Sequence, residues 1–268
     1  MIGAGPVGGA LAQKLASREG VRLVTLIDPQ GHVAQGKALD ILESSGVDGF
    51  TTRVIGAEVV TAAAGADAIV LADLAAAGEI SGESGLSLVA QLLRVEQAAP
   101  IVFAGGGQRE LMLRISSELH VTARRLIGSA PLALESSVRA VVAALLDASP
   151  SDLSIGIAGV PPRDAVIGWD AATAFHQPIA AVLAPHHMAA VSGRIPALWP
   201  PAPYTLASAG ARVAEAAALG SRRRYTCFAV VGRAVAAVPV MISRGGMESV
   251  LEPALSRHER TVFENGLR

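Results

Sequence analysis

The sequence predicts an α/β protein, a doubly wound parallel sheet followed by an α+β second half. Three observations predict it. Residues Met1 to Gly8 carry a complete G-x-G-x-x-G on Gly3, Gly5 and Gly8. Short apolar runs alternate with amphipathic runs through the first half, which is the pattern of repeated βαβ units. Asp28 ends the second apolar run, twenty residues after Gly8, where a dinucleotide-binding unit places its ribose-binding carboxylate.

The elements follow in order. Gly3 permits a tight turn after the first strand, Gly5 lets backbone approach a pyrophosphate, and Gly8 lets the next helix pack closely. Pro6 and Val7 open that helix, whose free N–H groups and positive dipole end suit phosphate. It continues through Ala10 to Ala16 and leads to the strand Leu23–Ile27. Asp28 suits the ribose hydroxyls of NAD and would repel the 2′-phosphate of NADP. NAD is therefore the expected cofactor of a Rossmann-type domain, held by Gly3, Gly5, Pro6, Val7, Gly8 and Asp28. Only Met1 and Ile2 precede Gly3, so the first strand is either very short or begins upstream in the natural chain; the second is the expectation.

A helix is expected around Gly36–Leu42, a strand near Arg53–Ile55 and a buried strand over Ala68–Ala72. The Gly/Ser-rich stretch from Ala75 to Gly85 lacks apolar periodicity and reads as a mobile loop. It precedes a helix over Leu86–Glu96 and a strand over Ile101–Ala104 that ends in Gly105-Gly106-Gly107. The domain division is placed at 128/129: residues 1–128 bind the dinucleotide and residues 129–268 form the second domain. There the expected elements are a helix over Ser136–Leu146, a strand over Leu153–Gly159 and an alanine-rich helix over Leu206–Leu219. Two strands, Cys227–Val231 and Val235–Ile242, then precede a terminal helix from Met247 to Asn265.

Composition narrows the function. The chain has 268 residues, 51% hydrophobic and 17% charged, with a formal net charge of −1. That supplies a sizeable core and argues against nucleic acid or a membrane surface as partner. The only basic run, Arg222-Arg223-Arg224, reads as a solvated turn before a strand. A single cysteine, Cys227, excludes an internal disulfide and reads as a buried, inert thiol. No signal segment or membrane helix is evident, so the cytoplasm is the default location.

Several segments resemble the malate/lactate dehydrogenase family. They are Gly3–Gly8, Leu26-Ile27-Asp28, Gln35–Asp40, Arg125–Gly128 and Val238–Gly246. The resemblance implies that family's two-domain fold, NAD, a small carboxylic acid as second ligand and a homo-oligomer, dimer or tetramer. It also implies a histidine for proton transfer, a partner aspartate and substrate-binding arginines. These positions depart. Gly159-Val160-Pro161-Pro162-Arg163-Asp164 stands where the histidine turn belongs, and Leu134-Glu135-Ser136-Ser137-Val138-Arg139 where Leu-Asp-x-x-Arg belongs. The 75–85 stretch holds no arginine, and Gly106-Gly107 replaces an expected Asn-Pro. Arg163, Asp164, Arg139 and Glu135 are the candidates for a rebuilt catalytic or anion site. His32, His120, His176 (six residues beyond Asp170 on an expected helix), His186, His187 and His258 read as structural or solvated. The adjacent pair His186-His187 is expected to point its rings apart, and no metal site is expected. Three functions remain open: a dinucleotide binder without the standard chemistry, an oxidoreductase with a rebuilt site, and a scaffold.

Overall fold

The computed structural model describes residues 1–267. Its parallel strands run in the spatial order 53–57, 23–27, Ile2, 69–71, 101–103 and 126–128. This is the doubly wound order, in which the first strand lies centrally and the chain reverses direction beside it. Ile2 alone forms parallel bridges, to Ile27 and Leu71, and is 1% exposed.

Four helices belong to this half: α1 (Pro6–Ser17), α2 (Gly31–Asp48), α3 (Gly82–Val95) and α4 (Arg109–Glu118). Helix α3 starts before the expected Leu86, with Ser81 as N-cap and Glu83 in its first turn. An acidic first-turn residue favours the positive helix end. The structureless stretch shrinks accordingly, and residues 73–74 pair antiparallel with 78–79 in a short hairpin.

The second half adds α5 (Ala130–Leu146), α6 (Pro185–Gly193), α7 (Pro203–Leu219) and α8 (Arg257–Asn265). Strands Arg223–Val231 and Ala234–Ser243 form an antiparallel hairpin, and Phe228 pairs with Gly128 to join it to the parallel sheet. Strands 157–160 and 164–167 extend the sheet further. One hydrophobic core runs from Ile2 and Leu11 through Phe103 to Val213 and Phe228; a second holds Leu134, Val138, Ile157, Ile167 and Ile195.

Two expectations need correction. The terminal helix does not run from Met247. Residues 246–250 form a strand on Ala234–Ser243, and α8 begins only after Pro253. Ser256 starts it through a capping box, accepting from Glu259 N at 3.3 Å while its own N–H donates to Glu259 at 2.8 Å. His176, expected on a helix, has φ +63° in a turn between two short strands.

Candidate functional site

The glycine turn lies at the C-terminal ends of the parallel strands, the ligand side of such sheets. Gly3 has φ +103°, and a Cβ there would strike the Asp73 backbone carbonyl. Gly8 presses on the carbonyl oxygen of Gly3, which brings α1 tight against the sheet. Pro6 occupies the first turn of α1, where its missing N–H does no harm. Lys37 of α2 donates to Gly5 O at 3.0 Å. Asp28, 1% exposed, does not face open solvent. Its Oδ2 accepts from Ala4 N at 2.8 Å and Ala75 N at 2.9 Å, and its Oδ1 from Gln30 N at 2.9 Å.

The N–H groups that such a turn offers to phosphate are already taken. Asp73 accepts from Val7 N at 3.1 Å and from Gly8 N at 2.8 Å, and its backbone oxygen accepts from Gly5 N at 2.8 Å. A Cβ on Gly5 would collide with the Asp73 carboxylate. Glu79, opposite Asp73 in the hairpin, reaches the other glycine-rich turn and accepts from Gly107 N at 2.8 Å. Burial raises the Glu79 carboxyl above its ordinary range, the Gly107 and Gly106 amides oppose this, and nearby Asp73 adds to the rise. Gln108, 1% exposed, ties the region together by accepting from Gly105 N and donating to Ile80 O. The turn has the backbone form that a dinucleotide pyrophosphate needs. In this arrangement, however, it does not accommodate one, because Asp73 fills the donor positions.

The four second-half candidates fall into two pairs. Arg163 and Asp164 are exposed in the turn between strands 157–160 and 164–167, with Asp164 against the end of α8 at Gly266. Glu135 and Arg139 lie one turn apart on α5, 3.9 Å from each other. No hydrogen bond or ion pair joins the two pairs among the described residues. Arg139 instead lines a cleft of about 510 Å³ with Arg212, Arg223 and Arg224, and its Nε is buried without a partner among the described residues. So Arg223 and Arg224 border this cleft and start a strand, rather than forming a plain solvated turn.

Glu135 accepts from Thr226, and burial raises its carboxyl; the Thr226 bond and the charges of Arg139 and Arg224 only partly offset this. A carboxyl raised in the folded state binds its proton more tightly there than in the unfolded chain. Its contribution is fully present below the ordinary value of 4.5 and is lost as pH rises above it. Glu135→Gln should therefore flatten the fall of stability from pH 4.5 towards neutrality. Denaturant midpoints across that range test it, and an unchanged slope would show that Glu135 titrates normally.

The remaining expectations divide. Cys227 is buried, and burial pushes its thiol well above the usual range. The rings of His186 and His187 do not point apart; their centroids lie 4.1 Å from each other. They sit in the first turn of α6, which opens with Pro185. Among the described residues no group of three His, Cys, Asp or Glu side chains is placed to hold a metal, and no helix is long and apolar enough to cross a membrane.

No protein-family model matches the chain. A malate dehydrogenase from Chloroherpeton thalassium is 27% identical over 290 residues, covering 98% of this chain and 93% of the relative. One from Thermomicrobium roseum is 27% identical over 286 residues, covering 98% and 92%. Over nearly its whole length the chain is similar to malate dehydrogenases. Solved structures share its fold. The malate dehydrogenase of Salinibacter ruber superposes with TM-score 0.87 at 22% identity, over 99% of this chain and 92% of that one. The lactate dehydrogenase of Cryptosporidium parvum, solved with lactic acid and NAD, does so with TM-score 0.88 at 20% identity, over 99% and 92%.

The residues that sequence reasoning passed over are Asp73 and Glu79. One signal was available: Asp73 directly follows the buried run Ala68–Ala72. An acid there faces the same end of the sheet as the glycine turn. Its partners, 66 and 65 residues away in sequence, were not readable from local pattern.

Proposed function

We propose that this chain is a dinucleotide-binding member of the malate/lactate dehydrogenase family that does not reduce 2-keto acids by the family's standard chemistry. One observation carries the reading. The turn where the resemblance places the proton-transferring histidine presents Pro161, Pro162 and the exposed pair Arg163–Asp164. Proline has no proton to transfer, and a missing general acid–base alone costs about 10²–10⁴-fold in rate. Glu135 and Arg139, the nearest match to the family's aspartate and arginine, engage Thr226 and each other instead. The ligand class is NAD(H), supported by the glycine turn and by the NAD in the Cryptosporidium parvum relative. A small carboxylic acid as second ligand and a dimer or tetramer belong to the same reading.

The test is steady-state turnover with NADH and the keto acids that correspond to malate and lactate. Turnover should fall at least about 10⁴-fold below a competent relative, since positioning groups are missing along with the acid. Turnover within about tenfold of that relative would overturn the reading and favour an oxidoreductase whose site is rebuilt around Arg163, Asp164 and Arg139.

A further inference from the structure

We propose that the hairpin bearing Asp73 and Glu79 holds the dinucleotide groove shut, with the Asp73 carboxylate occupying the phosphate position at the glycine turn. This rests on the reading that the groove's ligand is a dinucleotide.

The geometry is that of a bound anion. Asp73 is 9% exposed, and its two oxygens accept from consecutive first-turn amides of α1 at 3.1 and 2.8 Å. Those amides, with the positive end of the helix dipole, are the groups that a helix N-terminus offers to phosphate. Asp73 forms no ion pair among the described residues, so amides and dipole satisfy its charge, as they would satisfy a phosphate's. The glycine that permits backbone to approach a pyrophosphate, Gly5, here admits the Asp73 side chain instead. A ligand phosphate and this carboxylate cannot share the position, because both are anions competing for the same donors.

The second carboxylate extends the closure. Glu79 faces Asp73 across the hairpin and caps the Gly105–Gly107 turn at the end of the next parallel strand. One hairpin thus covers two glycine-rich turns on the ligand side of the sheet. Its tip, residues 76–78, is exposed, and Gly78 has φ +70°. The hairpin itself is short, two residues to a strand, so it is a competitor that a ligand of sufficient affinity displaces.

The experiment measures the affinities of NADH and of inorganic pyrophosphate for the wild-type chain, Asp73→Ala and Asp73→Asn by calorimetry. Ligand-free melting confirms that each variant is folded. Asp73→Ala should bind both probes at least tenfold more tightly than wild type. Asp73→Asn keeps an acceptor for one amide, preserves the packing and should gain less. Glu43→Gln, an exposed acid on α2, controls for net charge and should change nothing. Pyrophosphate affinity that is the same in wild type and both Asp73 variants would overturn the proposal, whatever NADH does. A gain for pyrophosphate without any NADH binding would uphold Asp73 as the occupant and remove the dinucleotide reading. Gains for both probes would support both.

Discussion

Asp28→Ala is expected to lower the thermal midpoint by roughly 6–12 °C, the shift that about 3 kcal/mol produces in a domain of 150–250 residues. The magnitude follows from what Asp28 touches. Its carboxylate accepts from Ala4, Gln30 and Ala75 backbone N–H groups while the residue is 1% exposed. Truncation leaves three donors without a partner, and each buried unsatisfied donor costs about 1–3 kcal/mol. Water entering the vacated space limits the total to the lower part of that sum. Asp28→Asn retains one acceptor oxygen and should lose about half as much. A shift below about 2 °C for Asp28→Ala, at most about 0.5–1 kcal/mol on the same scale, would show that these amides do not depend on the carboxylate. The prediction also affects binding experiments, since weaker NADH binding by Asp28→Ala would report a loosened glycine turn as well as any lost ribose contact.

Gly8→Ala and Gly36→Ala should move stability in opposite directions, although both place alanine inside a helix. Helix propensity alone favours alanine by about 1 kcal/mol at each position. At Gly36 on α2 nothing lies within 4 Å of the added Cβ, and the residue is exposed. Gly36→Ala should therefore stabilise by about 1 kcal/mol. At Gly8 the Cβ would collide with the Gly3 carbonyl oxygen, a backbone atom fixed by the parallel bridges of Ile2 on either side. Overpacking typically costs about 1–3 kcal/mol and occasionally more, and against a fixed backbone atom the upper end applies, so Gly8→Ala should be strongly destabilised in urea denaturation. Equal effects at the two positions would mean that α1 can lift away from the sheet without penalty.

Much of the fold was legible because its signals are local. The turn at Gly3–Gly8 and the apolar runs 23–27, 69–71 and 101–103 each announce their element within a few residues. The terminal segment was less so: Met247, Glu248, Leu251, Glu252 and Ala254 are helix formers, and only Pro253 signals a break. What makes residues 246–250 a strand is the neighbouring edge of Ala234–Ser243, a partner that no local pattern names. His186-His187 was misread for a related reason: helical spacing sets where side chains start, while rotamers and packing set where the rings meet.

The sequence by itself determined that the chain winds a parallel sheet with a glycine turn under its first helix. It also determined that the turn at Val160–Asp164 carries no histidine. Only the tertiary structure decided what meets that glycine turn. Asp73 stands 65 and 66 residues from the amides that hold it, and Glu79 stands 28 from Gly107. The same structure separated Arg163–Asp164 from Glu135–Arg139, which had been grouped as one candidate site. The physical reason is common to these cases. Backbone N–H groups and carboxylates are satisfied by whichever partner the folded chain brings near, and that choice is made by the packing of whole elements.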